Sequence, residues 1–165
     1  MNSNFNPLSP EELVSRINKI PRIRLAQLPT ALEYAPNISK ELNINLYIKR
    51  DDCTALAFGG NKTRHLEFIM AKTLSGEYDC ILTGAASQSN FCRQAVAAAN
   101  KLNLDSYLVL MHGVKGKLMQ GNFLLYNILG ANVVVVDGEN LENIPKHLDK
   151  KYDELIKEGR KPLLI

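Results

Sequence analysis

The chain has 165 residues, about the length of one domain, and enough mass to bury a core. Hydrophobic residues make up 45% of it and charged residues 22%, which is ordinary for a soluble globular protein. The net charge of +3 is small and evenly spread, so it argues against a nucleic-acid partner. No apolar run is long enough to span a membrane and the polar N-terminus is unlike a signal peptide, so we expect no membrane partner and a cytoplasmic location.

The predicted elements alternate between strands and helices from residue 46 onward. Residues 1–45 carry five prolines and are predicted to be irregular, with one helix candidate in PEELVSRINKI. The strand candidates are LYIKR (46–50), DCILTG (79–84), SYLVLMH (106–112), ANVVVVDG (131–138) and a final PLLI. Apolar residues at helical spacing predict helices from Lys62 onward and over residues 88–102, 117–129 and 141–158.

This alternation predicts an α/β fold with an open, mainly parallel sheet covered by helices on both faces, because its strands are uninterrupted apolar runs. A complete parallel sheet rarely ends on an apolar strand, which leads us to expect that a second half is missing. A small domain whose last strand is simply its terminus is the alternative. The cysteines, Cys53, Cys80 and Cys92, form no CxxC pair, so we expect free thiols in a reducing compartment and no metal site.

Two loops rich in glycine and polar residues precede predicted helices. AFGGNKT follows the first predicted strand and TGAASQSN follows the second. Ligands of open parallel sheets bind beyond the carboxyl ends of the strands, and a helix N-terminus offers free N–H groups to an anion. Neither loop contains GxGxxG, and GGNKT lacks the spacing of a Walker loop, so the usual nucleotide motifs do not apply.

Lys62 stands at the start of the first of these helices, where a cation is electrostatically unfavourable. Partial burial at such a place favours the neutral amine, which a Schiff-base nucleophile requires. Gly59 and Gly60 would let the backbone pass close to a flat ligand, and Asn61 offers an amide to a ligand oxygen. On position alone, a solvent-facing lysine after a loose turn is the alternative.

The two loops together carry a family resemblance. IKRDDCTALAFGGNKTRHLEF, followed after a strand by QSNFCRQAVAAANKLNL, resembles the pyridoxal-phosphate enzymes of the D-cysteine desulfhydrase and 1-aminocyclopropane-1-carboxylate deaminase family, which have the tryptophan synthase β-like fold. LPTALEY and GNFLLYNILGA also fit, and the similarity covers roughly residues 20 to 165. The resemblance implies that Lys62 holds pyridoxal 5′-phosphate as an internal aldimine and that Asn90 binds the oxygen of its ring hydroxyl.

The resemblance also implies a substrate site at the start of the helix that follows QSN. Ser89 would lie over the substrate and help in proton handling, and Ser89, Gln88 and Asn90 would hold its carboxylate. His65 stands where family members commonly carry Lys or Arg, so it would be a weaker partner for the phosphate. Ser87 and Phe91 also depart from the family pattern, and we expect Phe91 to be a core residue and Cys92 a buried structural thiol.

The activity implied is that of a lyase or deaminase acting on a small amino acid by α,β-elimination to a keto acid and ammonia, most like D-cysteine desulfhydrase. Family members are about twice this length, which implies that residues 1–45 belong to an incomplete large domain and residues 46–165 form the small domain. The intact parent would be a homodimer. A 1-aminocyclopropane-1-carboxylate deaminase, a non-catalytic half that needs a second chain to bind the cofactor, an anion-binding domain and an inactive structural product remain open.

Overall fold

The structure is a computed structural model that describes residues 7–112, 118–136 and 141–165. The helices are α1 (Pro10–Ile17), α2 (Pro36–Leu42), α3 (Lys62–Ile69), α4 (Asn90–Lys101), α5 (Gly121–Ile128) and α6 (Ile144–Lys157). The strands are β1 (Leu32–Tyr34), β2 (Tyr47–Lys49), β3 (Cys80–Ala86), β4 (Asp105–Met111), β5 (Asn132–Val136) and β6 (Pro162–Leu164).

The predicted parallel sheet is confirmed. Four strands pair in the order β5-β4-β3-β6, and every pair is parallel. Its two central strands, β3 and β4, are apolar runs that bury side chains on both faces, which explains why they lack the apolar–polar alternation of a half-exposed strand. The helices that follow β3, β4 and β5 supply the two covering layers.

Successive residues of the central strands point to opposite faces of the sheet, and each face has its own core. On one face Ile81 packs with α3 and α4, where Ala95, Ala98 and Ala99 let the helix approach closely. Cys92 and Val96 of α4 extend this layer to β4 and α5. On the other face Leu82, Val109 and Leu155 bring α6 onto the sheet, as its predicted apolar face requires.

Two expectations about the N-terminal part are wrong. LYIKR forms β2, but β2 pairs antiparallel with β1 in a separate two-stranded sheet and does not join the parallel sheet. Both strands have only three residues, all exposed, so apolar periodicity gives no sign of their partner. The helix candidate in PEELVSRINKI is confirmed as α1, but residues 7–45 are less irregular than predicted, because they also contain β1 and α2. A capping box between Ser9 and Glu12 starts α1.

The other predicted elements are found with shifted ends. The helix from Lys62 ends at Ile69 and continues as a 3₁₀ turn to Ser75, and the helix predicted over 117–129 begins at Gly121. Residues 1–6, 117 and 137–138 of the predicted segments lie outside the described residues. The division at residue 45 stays a prediction. Contacts cross it, since Leu25 joins the core beside Leu66.

None of the helices in the described part of the chain is long and apolar enough to cross a membrane. All three cysteines are free thiols, as predicted, and Cys80 and Cys92 are buried.

Candidate active site

The loop that precedes α3 has an unusual backbone. Five of the six residues from 55 to 60 have positive φ, and three of these five are not glycine. Each non-glycine residue in this region costs about 1–3 kcal/mol and persists only where the surrounding structure holds it there. Such strain is concentrated at active sites and ligand clamps in folded proteins. The backbone therefore marks the segment just before Lys62 as a candidate site.

Packing explains why Gly59 and Gly60 are glycines. A Cβ atom on Gly59, where φ is +73°, would lie 1.8 Å from the carbonyl oxygen of Asp52. A Cβ atom on Gly60, where φ is +130°, would lie 2.4 Å from Nε2 of Gln94. The sequence suggested that these glycines admit a flat ligand. The structure shows that they admit neighbouring protein atoms, which hold the loop in place.

Lys62 is the first residue of α3 and is half-buried. Among the described residues its Nζ has no hydrogen-bond or ion-pair partner. Asn61 occupies the N-cap position with helical dihedral angles, is exposed, and makes no side-chain capping bond. The start of α3 thus presents an unpartnered amine beside a free side-chain amide.

The second predicted motif lies where β3 leads into α4. Ser89 is the N-cap residue of α4, and its Oγ accepts a hydrogen bond of 3.2 Å from the N–H of Cys92. The hydroxyl of Tyr126 donates to the Ser89 carbonyl at 2.8 Å and fixes the loop from the α5 side. Burial raises the pKa of the Cys92 thiol to about 11, which agrees with the expected structural role.

Asn90, the first residue of α4, is exposed, and its side-chain amide is held from one side only. Its Oδ1 accepts hydrogen bonds from Arg93 Nη1 and from Asn122 Nδ2, both at 3.0 Å. Its Nδ2 has no acceptor among the described residues. The amide therefore keeps two N–H donors for a ligand that carries an acceptor oxygen.

The structure gives Gln88 partners inside the protein. Its Oε1 accepts from the backbone N–H of Asn122 at 2.9 Å, and its Nε2 donates to the Gln120 carbonyl at 3.1 Å. The side chain thus docks the beginning of α5 onto the β3–α4 loop. Its expected part in holding a substrate carboxylate stays a prediction, and so does that of Ser89.

Hydrogen bonds tie the two motifs together. The Gly59 carbonyl accepts from Arg93 Nη2 at 2.9 Å and from Gln94 Nε2 at 2.7 Å. Gln94 is fully buried, and its Oε1 accepts from the hydroxyl of Thr63 at 2.7 Å. The starts of α3 and α4 are thereby joined through residues next to Lys62 and Asn90.

His65 lies one turn after Lys62 on α3 and is exposed. The neighbouring Arg64 is held by Asp51, at 2.7 and 2.8 Å. A cavity of about 610 Å³ opens beside that Arg64 and is lined by Arg22, Lys49 and Glu67, but not by Lys62 or Asn90. The candidate site is accordingly an open surface at two helix starts, separate from that cavity.

Arg93, Gln94 and Asn122 are site residues that sequence reasoning missed. A signal for Gln94 existed, because a glutamine at an apolar position of a buried helix needs a partner. Arg93 and Asn122 gave no such signal. Their importance depends on contacts between segments about thirty residues apart.

The fold and site define an α/β protein in which two helix N-termini meet beside a lysine amine that has no partner among residues 7–112, 118–136 and 141–165, a site suited to an anionic ligand that reacts with an amine. A family model described as "Pyridoxal-phosphate dependent enzyme" matches residues 23–165. The chain belongs to the family of pyridoxal-phosphate-dependent enzymes.

Individual relatives carry two names. The chain is 39% identical over 155 residues to a Pyrococcus horikoshii protein named "Putative 1-aminocyclopropane-1-carboxylate deaminase". This alignment covers 93% of the chain and 46% of that protein. It is 37% identical over 156 residues to a D-cysteine desulfhydrase of Klebsiella pneumoniae strain 342. That alignment covers 92% of the chain and 47% of the relative. A crystal structure of an "ACC deaminase homologue" superposes with a TM-score of 0.85 at 39% identity, covering 96% of this chain and 47% of the other. The chain spans about half the length of these relatives.

The residues at the site fit pyridoxal phosphate. Lys62 supplies an amine that has no partner among the described residues, and Asn90 supplies an outward-facing N–H₂ group. The N–H of Cys92 is capped by Ser89, but the N–H groups of Asn90 and Phe91 at the start of α4 have no acceptor in the described part of the chain. Together these groups can bind an aldehyde, a ring oxygen and an anionic group.

Proposed function

We propose that the protein is, or forms part of, a pyridoxal-phosphate-dependent lyase or deaminase that converts a small amino acid into a keto acid and ammonia. The observation that carries the proposal is the half-buried Lys62 amine, which has no partner in the part of the chain that the structure describes and lies where the two motif loops are joined. Membership of a pyridoxal-phosphate-dependent family supports the cofactor, and the relatives' names support the substrate class.

Each residue of the candidate site has a separate role in the proposed reaction. Lys62 would bind the cofactor covalently, and its Nζ would take the proton from the α-carbon of the amino acid. The Asn90 N–H₂ group would donate to the ring oxygen of the cofactor, and Asn61 offers a second amide at the same place. Ser89 and the free N–H groups of α4 would orient the substrate carboxylate. When bound, the cofactor supplies the electron sink that stabilises negative charge at the α-carbon.

The reaction that fits these groups best is α,β-elimination on a β-substituted amino acid such as D-cysteine. The α-proton moves to Lys62, the sulfur leaves as sulfide, and hydrolysis of the product gives a keto acid and ammonia. The alternative substrate, 1-aminocyclopropane-1-carboxylate, has no α-proton, so its ring opening needs a further nucleophile or base. Elimination therefore makes fuller use of the residues present.

A second candidate function is a non-catalytic half that binds the cofactor only together with a second chain. The exposed N-terminal apolar residues favour it. α1 buries none of its residues, although Leu13, Val14 and Ile17 lie on it. Leu32, Tyr34, Tyr47 and Ile48 of β1 and β2 are exposed as well. Apolar surface of this kind marks an interaction site.

The test is to add pyridoxal phosphate to the purified protein and record the visible absorption, then to supply D-cysteine, L-cysteine or 1-aminocyclopropane-1-carboxylate. We expect a visible band that Lys62→Ala abolishes and that Lys101→Ala, at an exposed position of α4, leaves intact. Sulfide and keto acid released in equal amounts from D-cysteine would support elimination. A band without turnover would favour the non-catalytic half, and no band from the folded protein would contradict cofactor binding by this chain.

A further inference from the structure

Arg93 lies where three segments of the chain meet. Its Nη1 donates to Asn90 Oδ1 at 3.0 Å and to Asn122 Oδ1 at 2.9 Å. Its Nη2 donates to the Gly59 carbonyl at 2.9 Å. One guanidinium thus connects the loop before α3, the start of α4 and the start of α5. A planar fork of donors can do this in one fixed geometry.

The electrostatic setting of Arg93 is also unusual within the described residues. Arg22, Arg50, Arg64 and Arg160 each pair with a carboxylate, and Arg16 and Arg24, which do not, are exposed to solvent. Arg93 pairs with none, and its acceptors are one carbonyl and two side-chain amides. Its Nε is buried without a hydrogen-bond partner, and burial lowers the pKa of the guanidinium below its ordinary value. A cation kept here without a counter-charge is costly, which points to a role beyond packing.

The contacts of Arg93 permit one orientation of the Asn90 amide. In that orientation Oδ1 faces two donors, Arg93 Nη1 and Asn122 Nδ2. Turning the amide over would place its own N–H₂ group against those donors. The amide of Asn122 is fixed in the same way, because its Nδ2 also donates to the Gln88 carbonyl at 2.7 Å. The network therefore directs the N–H₂ group of Asn90 outward.

We propose that Arg93 is a positioning residue that, with Asn122, holds the Asn90 amide with its N–H₂ group toward the ligand. The ligand group that this arrangement selects is an acceptor oxygen, preferably anionic, since the nearby cation strengthens such a hydrogen bond. Identifying that oxygen with the ring hydroxyl of the cofactor rests on the proposed function. The orientation of the amide does not.

The orientation is tested on the chain without cofactor, by NMR relaxation of the Asn90 side-chain amide. We expect it to be as rigid as the backbone of α4 in the wild-type protein, and its order parameter to fall below about 0.6 in Arg93→Gln. Arg160→Gln removes an arginine at the opposite end of the sheet and serves as the matched control, with no change at Asn90. A rigid Asn90 amide in folded Arg93→Gln would overturn the proposal.

Two further variants keep the test decisive if Arg93→Gln does not fold. Arg93→Lys keeps the charge and the aliphatic stem but cannot reach all three acceptors at once, so we expect partial loss of amide order. Asn122→Ala removes the second donor to Asn90 Oδ1 and is expected to act in the same direction. Unchanged amide order in both variants would contradict the proposal.

Cofactor affinity supplies the second readout. We expect Arg93→Gln and Asn90→Ala each to weaken pyridoxal phosphate binding about tenfold, the size of one good hydrogen bond. The double variant should be no weaker than Asn90→Ala alone, because Arg93 acts through Asn90. Losses that multiply would contradict positioning. If the wild-type chain binds no cofactor, the proposed function fails, and amide order alone decides the role of Arg93.

Discussion

Each end of the parallel sheet carries a partly buried arginine, and the two arginines differ in the charge of their hydrogen-bond partners. At the amino end, Arg160 pairs with Asp79 at 3.0 Å and with Asp105 at 2.7 Å, and also donates to the hydroxyl of Tyr107. At the carboxyl end, Arg93 holds three neutral oxygens and meets no carboxylate in the described part of the chain. The charge of Arg160 is thus compensated by carboxylates of the protein itself. The charge of Arg93 is not compensated by any of its three acceptors.

This difference separates an arginine whose charge is compensated by carboxylates from one whose charge is not. Compensated ion pairs at a partly exposed edge contribute modestly to stability and need no partner from outside. Strained backbone and perturbed charged groups are both concentrated at functional sites in folded proteins. The carboxyl end carries both features, together with the Lys62 amine.

The largest expected effect is on the strained loop at the carboxyl end. Gly59→Ala places a Cβ atom 1.8 Å from the Asp52 carbonyl at a φ of +73°. We expect a loss of about 3 kcal/mol or more in the free energy of unfolding, because strain and overpacking act together. Urea unfolding followed by circular dichroism measures it.

Gly76→Ala is the matched control at the amino end. Gly76 has the same φ of +73°, but no atom lies within 4 Å of its added Cβ. Only the backbone penalty applies there, so we expect a loss of about 1 kcal/mol. Equal losses in the two variants would show that the clash with Asp52 does not govern the loop.

A smaller effect is expected from the ion pairs at the amino end. Burial alone would raise the pKa of Asp79, but hydrogen bonds from the Lys161 N–H, Cys80 and Arg160 lower it overall. Asp79→Asn should therefore cost about 1 kcal/mol of stability at pH 7. A lowered carboxyl pKa contributes stability above the unfolded pKa, about 3.9, and loses it as the pH falls through the folded pKa.

The difference between wild type and Asp79→Asn should thus be constant above about pH 5 and shrink below about pH 4. Urea unfolding at a series of pH values measures it. A difference that grows on acidification would have the wrong sign and would contradict the assignment of Asp79 as a stabilising anion.

The smallest effect concerns the thiols near both ends of the sheet. Burial raises the pKa of Cys80 to about 12 and that of Cys92 to about 11, whereas Cys53 is exposed. In the native protein at pH 8 we expect a thiol reagent to react rapidly with Cys53 only, and with all three cysteines in denaturant. Rapid labelling of Cys92 would show that the carboxyl end is open to solvent at α4.

The sequence predicted the parallel sheet well because its strands are apolar runs separated by helices of clear period. It could not predict the pairing of β1 with β2, since three exposed residues in each strand carry no periodic signal. For the site, residue type and position alone singled out Lys62. The family resemblance added Asn90, and the roles of both residues stay predictions.

The rest of the site depends on long-range contacts that local patterns do not show. The predicted part of Gln88 in holding a substrate carboxylate stays a prediction, and its amide contacts with the backbone at Gln120 and Asn122 had no signal in the sequence. In the sequence Arg93 is an ordinary charged residue of a predicted helix. Its contacts with Gly59 and Asn122 are seen only in the structure. These roles depend on contacts between residues that are far apart in the sequence, so they can be identified only from the structure.

The most direct test of the central claim, that Lys62 binds pyridoxal phosphate covalently, is borohydride reduction of the protein incubated with the cofactor, followed by proteolysis and mass spectrometry. We expect the reduced cofactor on the peptide that contains Lys62, and we expect it to be absent from that peptide in Lys62→Ala. Absence of label on Lys62 in the folded wild-type protein, or equal labelling of exposed lysines such as Lys101, would contradict it.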